Sequence, residues 1–340
     1  LTDQTAAART IYTMIGGTRQ SFSTANSNLT EGLLDVSTAD RDKVINFVRG
    51  VDVLDENANG DVNEDREWKL GDIFHSTPVV VTPPFLPSTD TSYHAFRTAQ
   101  QSRTTVVIAG SNDGMIHAFR ETDGVELWAF VPPDLLGKLK SFLVSGGDHQ
   151  FLLDSSPVAA DVKIGGVWKT ILVFGERRGG NYYHALDITD TTNPSYLWGF
   201  TDTTKIAETW SEPIIGKVQM NSVTGGTERY VAIFGGGYDT GNNNVHGKAL
   251  FVVDVATGTK LWEYSNDGST DDRQYMNYSI PANPLALDVN PQNDGFIDRV
   301  YIGDIGGQMW KFDLSAPATL TGGTTGLVNN WTGKRFFRSG

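Results

Sequence analysis

The chain has 340 residues, with 27 basic against 40 acidic side chains, a net charge of −13, and no cysteine. That length accommodates one large β domain or two ordinary domains, and the acidic surface disfavours nucleic acid and anionic membranes while suiting cations. Thiolate metal sites, cysteine nucleophiles and disulfides are excluded, and no apolar run approaches the roughly 18 residues a membrane helix needs, so direct membrane insertion is not expected.

At the N-terminus, "LTDQTAAARTIY" has no signal-peptide pattern, and the bare Leu1 together with the strand-like close "WTGKRFFRSG" reads as a piece of a longer polypeptide. The first clear element is "STADRDKVINFVRG". Thr38 serves as N-cap, Asp40 lies in the first turn, Val44, Ile45, Phe47 and Val48 form the apolar stripe, and Gly50 stops it. The spacing predicts an amphipathic helix over 39–49. Residues 1–70 therefore read as a helical lead-in segment and 71–340 as the main domain.

The helix runs into "DENANGDVNED", which alternates side-chain oxygens with small residues. Hard cations take several oxygen ligands, and a calcium loop of EF-hand type supplies them from positions 1, 3, 5, 7 and 9, with glycine at 6 for the sharp turn. With Asp55 at position 1, Asn57 is 3, Asn59 is 5, Gly60 is 6, Asp61 is 7 (through its carbonyl) and Asn63 is 9. Position 12, normally a bidentate Glu, is Arg66, so Asp65 or Glu67 must provide the closing carboxylate. The alternative is a solvated loop held by Asx turns.

From Gly71 onward, short apolar strands alternate with turns rich in Gly, Asn and Asp, and the text repeats. Four passages align: "TTVVIAGSNDGMIHAFRETDGVELWAF", "KTILVFGERRGGNYYHALDITDTTNPSYLWGF", "RYVAIFGGGYDTGNNNVHGKALFVVDVATGTKLWEY" and "DRVYIGDIGGQMWKFDLS". Each is preceded by a proline-opened strand: "HSTPVVV", "SSPVAADV", "SEPIIGKV" and "IPANPLALDV". The first three close on a strand carrying Trp128, Trp198 or Trp262. Strands buried on both faces explain runs such as "VVIAG", and a tryptophan near a blade's end suits an interblade groove. Four strands per unit, repeated, predict an all-β propeller with four blades in this chain and further blades beyond it.

A second acidic loop, "DVNPQNDGFID", lies between "PLAL" and "RVYIGD". Asp288, Asn290, Asp294 and Asp298 would be its side-chain ligands, joined by the Phe296 carbonyl, with two extra residues before Asp294 compared with the first loop. A plain hairpin turn around Asn293, Asp294 and Gly295 is the rival. His117 and His184 occupy matching places in two blades, which argues for a repeated packing or turn role over metal binding. "GGG" at 235–237 and "RRGG" at 177–180 precede no helical pattern and read as turns rather than phosphate cradles. Ser155 and Ser156 lack the flanking glycines of a hydrolase elbow.

Together "VINFVRG", "WKLGDIFHSTPVVV", "GSNDGMIHAF", "LLDSSPVAADV", "AIFGGGYDT", "LFVVDVATG" and "DRVYIGDIGGQMWKFDLS" resemble, in family order from Val44 to Ser315, the C-terminal β-propeller of the PilY family of type IV pilus tip-associated proteins. The resemblance implies a modified quinoprotein-like propeller that is calcium-dependent, extracellular and located at the pilus tip. It implies a non-enzymatic adhesin that serves pilus assembly, retraction and twitching motility, with minor pilins and host or surface ligands as partners. Its calcium loops have a pattern that Asp55 to Asn63 match, and that Asp288 to Asp298 match apart from the insertion.

Two other functions compete with it. The blade text "GSNDGMIHAFRETDGVELW" is also similar to quinoprotein dehydrogenases, which bind pyrroloquinoline quinone beside calcium, usually against a disulfide of adjacent cysteines that this chain lacks. A purely structural propeller scaffold is the third.

Overall fold

The computed structural model describes residues 4–144, 148–223, 226–241, 243–289, 294–320 and 328–339. It is built from four sheets and divides into two compact units.

The first unit comprises residues 1–86, 97–157 and 190–196. Its sheet contains β1 (Ile11–Ile15), β2 (Thr18–Ser21), β3 (Val79–Val81), β4 (Val106–Ser111), β5 (Met115–Arg120) and β6 (Glu126–Phe130), in the order β2-β1-β6-β5-β4-β3. β3 to β6 form the expected antiparallel series, opened by the strand after Pro78. The lead-in extends this sheet: β1 pairs in parallel with β6, Ile11 opposite Ala129, and turns back through Gly16 and Gly17 into β2. Both glycines have positive φ, 59° and 79°, as a tight hairpin turn requires. Two helices follow, α1 (Glu31–Leu34) and α2 (Thr38–Arg49). The N-cap of α2 is Ser37 rather than Thr38, and the Ser37 hydroxyl donates to Asp40 at 2.7 Å. Val44, Ile45, Phe47 and Val48 are buried as predicted, and Phe47 stacks on Phe142 at 5.7 Å. Gly50 ends the helix at φ 106°, donating back to Asn46 and Phe47.

The second unit comprises residues 87–96, 158–189 and 197–340. It holds β7 (Val158–Ile164), β8 (Val167–Gly175), β9 (Tyr183–Asp187) and the end of β10 (Ser195–Phe200), then β11 (Ile214–Val223), β12 (Gly226–Gly235), β13 (Ala249–Asp254) and β14 (Lys260–Ser265), then β15 (Leu285–Leu287), β16 (Arg299–Gly303), β17 (Gln308–Asp313) and β18 (Thr332–Arg338). Each sheet runs in simple sequence order, the pattern of a propeller blade. The middle sheet is buried on both faces. Ala232, Phe234, Phe251 and Val253 meet Ile171, Val173 and Tyr183 on one side, while Val231, Ile233, Leu250 and Val252 meet Val300, Ile302 and Phe312 on the other. This explains why strands such as "YVAIFGG" are apolar throughout instead of alternating. α3 (Thr91–Ala99) places Tyr93 against Trp168, its hydroxyl donating to Asp161 at 2.7 Å.

The "GGG" of 235–237 is a point of close backbone approach. A Cβ on Gly235 would lie 2.3 Å from the Ile280 carbonyl oxygen, and one on Gly237, whose φ is 96°, would lie 2.0 Å from that of Glu208.

The repeated tryptophans are buried. The Trp128 indole donates to the Thr191 carbonyl at 2.8 Å, and the Trp198 indole to the Val255 carbonyl, also at 2.8 Å. Trp262 instead stacks edge-on against Phe312 and Trp331. Trp198→Phe removes one ring of the buried indole and leaves the Val255 carbonyl without its donor. It should therefore cost about 1–3 kcal/mol in chemical denaturation; an unchanged midpoint would show that the bond is dispensable.

Candidate functional sites

The first acidic loop is closed at its neck by backbone bonds. Val51 bridges Asp65, the Asp52 N–H donates to the Glu64 carbonyl at 2.8 Å, and the Arg66 N–H to the Gly50 carbonyl at 2.7 Å. Asp52, nearly fully buried, caps the Glu56 N–H at 2.9 Å. Inside the loop three Asx turns follow one another: Asn57 accepts from the Asn59 N–H, Asn59 from Asp61 and Asp61 from Asn63. The chain then folds across itself, and the Gly60 N–H donates to the Asp55 carboxylate at 3.0 Å. Asp55, Ala58 and Gly60 all take positive φ.

Two predicted residues sit differently from the spacing argument. The Asp65 carboxylate turns away from the loop, accepts from the Ala6 N–H at 3.1 Å and lies 3.7 Å from Lys69. Its neighbour Glu64 reaches inward, one oxygen accepting from the side-chain amides of both Asn57 and Asn59. The oxygen set that could hold a hard cation is therefore Asp55, Asn57, Asn59, Asp61 and Asn63, with Glu64 as the closing carboxylate. Counting to position 12 reaches Arg66 and passes over Glu64, which lies three residues after Asp61.

The second loop joins β15 to β16 and closes in the same way. The Gly295 N–H donates to the Asp288 carboxylate at 2.7 Å, with Gly295 at φ 79°. Asp294 accepts from the Phe296 N–H at 3.0 Å, and the largely buried Asp298 accepts from the Val289 N–H at 2.9 Å. Among the described residues the other Asp288 oxygen, Oδ1, is buried with no hydrogen-bond partner. A buried carboxylate oxygen without a donor is costly, and a bound cation would satisfy it. Predicted ligand Asn290 lies outside the described residues. The Phe296 ring carries the Lys217 ammonium at 4.2 Å.

A third cluster was visible in the sequence only as a matching pair of histidines. His117 is fully buried between two carboxylates, with Nδ1 2.7 Å from Glu126 and Nε2 3.0 Å from Asp113. Glu126 is also gripped by one edge of the Arg9 guanidinium, from Nε at 2.8 Å and Nη2 at 2.9 Å, and Arg9 Nη1 donates to the carbonyls of Val48 and Arg49 at the end of α2. Burial works against charge on His117, but Asp113 and Glu126 outweigh it and raise the imidazole to about 9. Burial likewise pushes Glu126 upward, and the hydrogen bonds from Arg9 and His117 reverse this, bringing it down to about 2. His184 pairs with Glu176 at 3.2 Å, both fully buried. Each of the two matching histidines is therefore buried against a carboxylate, an arrangement that a packing role and a metal-ligand role both allow.

Residues 70–322 match the family model described as the PilY1 beta-propeller domain. The chain is 32% identical over 287 residues to the type IV pilus biogenesis factor PilY1 of Pseudomonas aeruginosa strain UCBPP-PA14, covering 79% of this chain and 22% of that protein. It is 33% identical over 303 residues to a type IV pilus biogenesis factor PilY1 homolog of Xylella fastidiosa, covering 82% of this chain and 20% of that protein. The crystal structure of the Pseudomonas aeruginosa PilY1 C-terminal domain aligns with 65% of this chain and 41% of its own, at 32% identity and a TM-score of 0.48. The chain spans about a fifth of the length of the curated relatives it matches. Among the described residues no helix is long and apolar enough to cross a membrane.

Proposed function

We infer a role in type IV pilus biogenesis from one fact: the chain belongs to the PilY1 β-propeller family. Within that role it acts at the cell surface, at the pilus tip, as a calcium-dependent adhesin and assembly and retraction factor that supports twitching motility. It works against minor pilins and host or surface ligands, without nucleic acid and without inserting into a membrane. The observation that carries the calcium part is the shared closure of the two loops, with Gly60 donating to Asp55 and Gly295 to Asp288, together with the orphaned Asp288 Oδ1. Asp55, Asn57, Asn59, Asp61, Asn63 and Glu64 would hold one ion, and Asp288, Asp294 and Asp298 with the Phe296 carbonyl a second. A bound calcium supplies positive charge that offsets the carboxylates gathered on each loop. The loops' own residues fix the backbone on either side of them.

Complementation tests the reading. A pilus-deficient strain of a relative's species should regain surface pili and twitching zones when the cognate segment of its own factor is replaced by this chain. The same replacement carrying Asp55→Ala and Asp288→Ala should give pili whose motility no longer responds to calcium. Absence of pili with the wild-type replacement sinks the assembly role. The dehydrogenase alternative predicts alcohol oxidation with added pyrroloquinoline quinone and calcium; we expect none, and calcium-dependent turnover would replace the adhesin reading with an enzymatic one.

A further inference from the structure

Beside the C-terminal end of α2, wholly within the first unit, lies a cleft of about 270 Å3. That is just below the range for small-ligand clefts, about 300–1,000 Å3, and suits a ligand of a single ring. Part of its lining is aromatic: Phe47 and Phe142 are stacked, and Trp68 is 75% exposed. The rest includes planar polar groups. Asp72 accepts from the Asn112 amide at 2.7 Å with one oxygen and contacts His149 at 2.7 Å with the other. Asp113 is engaged by the Gly71 N–H and by His117. Arg66 lies over the Phe47 ring at 3.9 Å and donates to the Phe47 carbonyl, but its Nε is buried with no hydrogen-bond partner.

These groups restrict the ligand. An anion entering the cleft would meet Asp72, Asp113 and Asp148. A cation would meet Arg66 and find both oxygens of Asp72 and of Asp113 already engaged. What remains is a neutral molecule with oxygen acceptors for the Arg66 guanidinium, hydroxyls for the amide and imidazole edges, and an apolar face to lie on an indole. A pyranose ring has all three. We propose that this cleft binds one ring of a neutral saccharide, stacked on Trp68 and held by Arg66. The proposal names a ligand class for the surface-binding part of the function above and rests on that part.

The test uses purified chain and a panel of methyl glucoside, methyl galactoside, methyl mannoside and N-acetylglucosamine, with sialic acid and glucosamine as charged controls. Binding is read by saturation transfer from protein to sugar and by calorimetry. At least one neutral sugar should bind in the millimolar range, typical of a single ring, more tightly than either charged control. Trp68→Ala should weaken it at least tenfold and Trp68→Phe should restore most of it, both with unchanged melting temperature because the side chain is exposed. Failure of every neutral sugar at millimolar concentration, preference for a charged control, competition by an extended peptide but not by sugar, or full binding by Trp68→Ala would each overturn the assignment. Because the assay involves no cells, its failure is distinguishable from failure of the pilus-assembly role, which complementation reads.

Discussion

Glu126→Gln should destabilise the first unit by about 3–5 kcal/mol, the cost of removing one member of a buried ion pair. The wild-type carboxylate is fully buried and satisfies two cations, Arg9 and His117. The amide is nearly isosteric, so packing is retained and the loss is electrostatic. It leaves the Arg9 guanidinium buried without the counter-charge of residue 126, and turns an N–H2 group towards Arg9 or His117. The pH dependence supplies a second signature. His117 titrates near 6.5 when unfolded and at about 9 when folded, so its contribution is complete below 6.5 and is lost as pH rises through 9. Glu126 titrates near 4.5 unfolded and at about 2 folded, so its contribution is present above 4.5 and is lost as pH falls towards 2. Wild-type stability should therefore decline between pH 6.5 and 9. In Glu126→Gln, where His117 keeps only Asp113, that decline should start at the same pH, end at a lower one and be smaller. A denaturation midpoint within a few tenths of a kcal/mol of wild type, or an unchanged pH profile, would falsify the network's role.

The blades were legible because their physics is local. A strand buried on both faces must be apolar throughout, as in "YVAIFGG", and the proline before each edge strand, the glycines of each turn and the tryptophans near blade ends repeat at fixed order. The β1–β2 hairpin was not expected, although Gly16-Gly17 is a turn signal, because β2 reads Thr-Arg-Gln-Ser and has no apolar alternation to mark it as a strand. The salt-bridge network was hidden for a different reason. Arg9 and Glu126 are 117 residues apart, and only the parallel pairing of β1 with β6 brings them together. The first acidic loop lay between these cases. Its alternating oxygens and central glycine were plain, but the closing carboxylate depends on how the neck pairs. With Val51 bridged to Asp65, Asp65 belongs to the neck and Glu64 faces the loop.

That distinction makes the calcium prediction specific to named residues. Calcium should raise the melting temperature of the wild-type chain and a chelator should lower it, because an ion bound only by the folded state stabilises it by about 2.7 kcal/mol at a hundredfold excess over Kd. The carboxylates of Asp55, Asp61 and Glu64 stand on one short loop, and like charges held close oppose a compact arrangement until a counter-charge arrives. Asp55→Ala removes the group that accepts the Gly60 N–H and should abolish most of the first loop's share of the calcium shift. Glu64→Gln should do nearly as much, since it removes the inward-facing charge. Asp65→Asn should instead lower the melting temperature equally with and without calcium, because its carboxylate holds the Ala6 N–H and Lys69 rather than the loop. Asp288→Ala should remove the remaining share by deleting the buried Oδ1. If wild-type melting is indifferent to both calcium and chelator, neither loop is a cation site. If Asp65→Asn loses the calcium response and Glu64→Gln keeps it, the ligand set is the one counted from spacing and not the one the neck imposes.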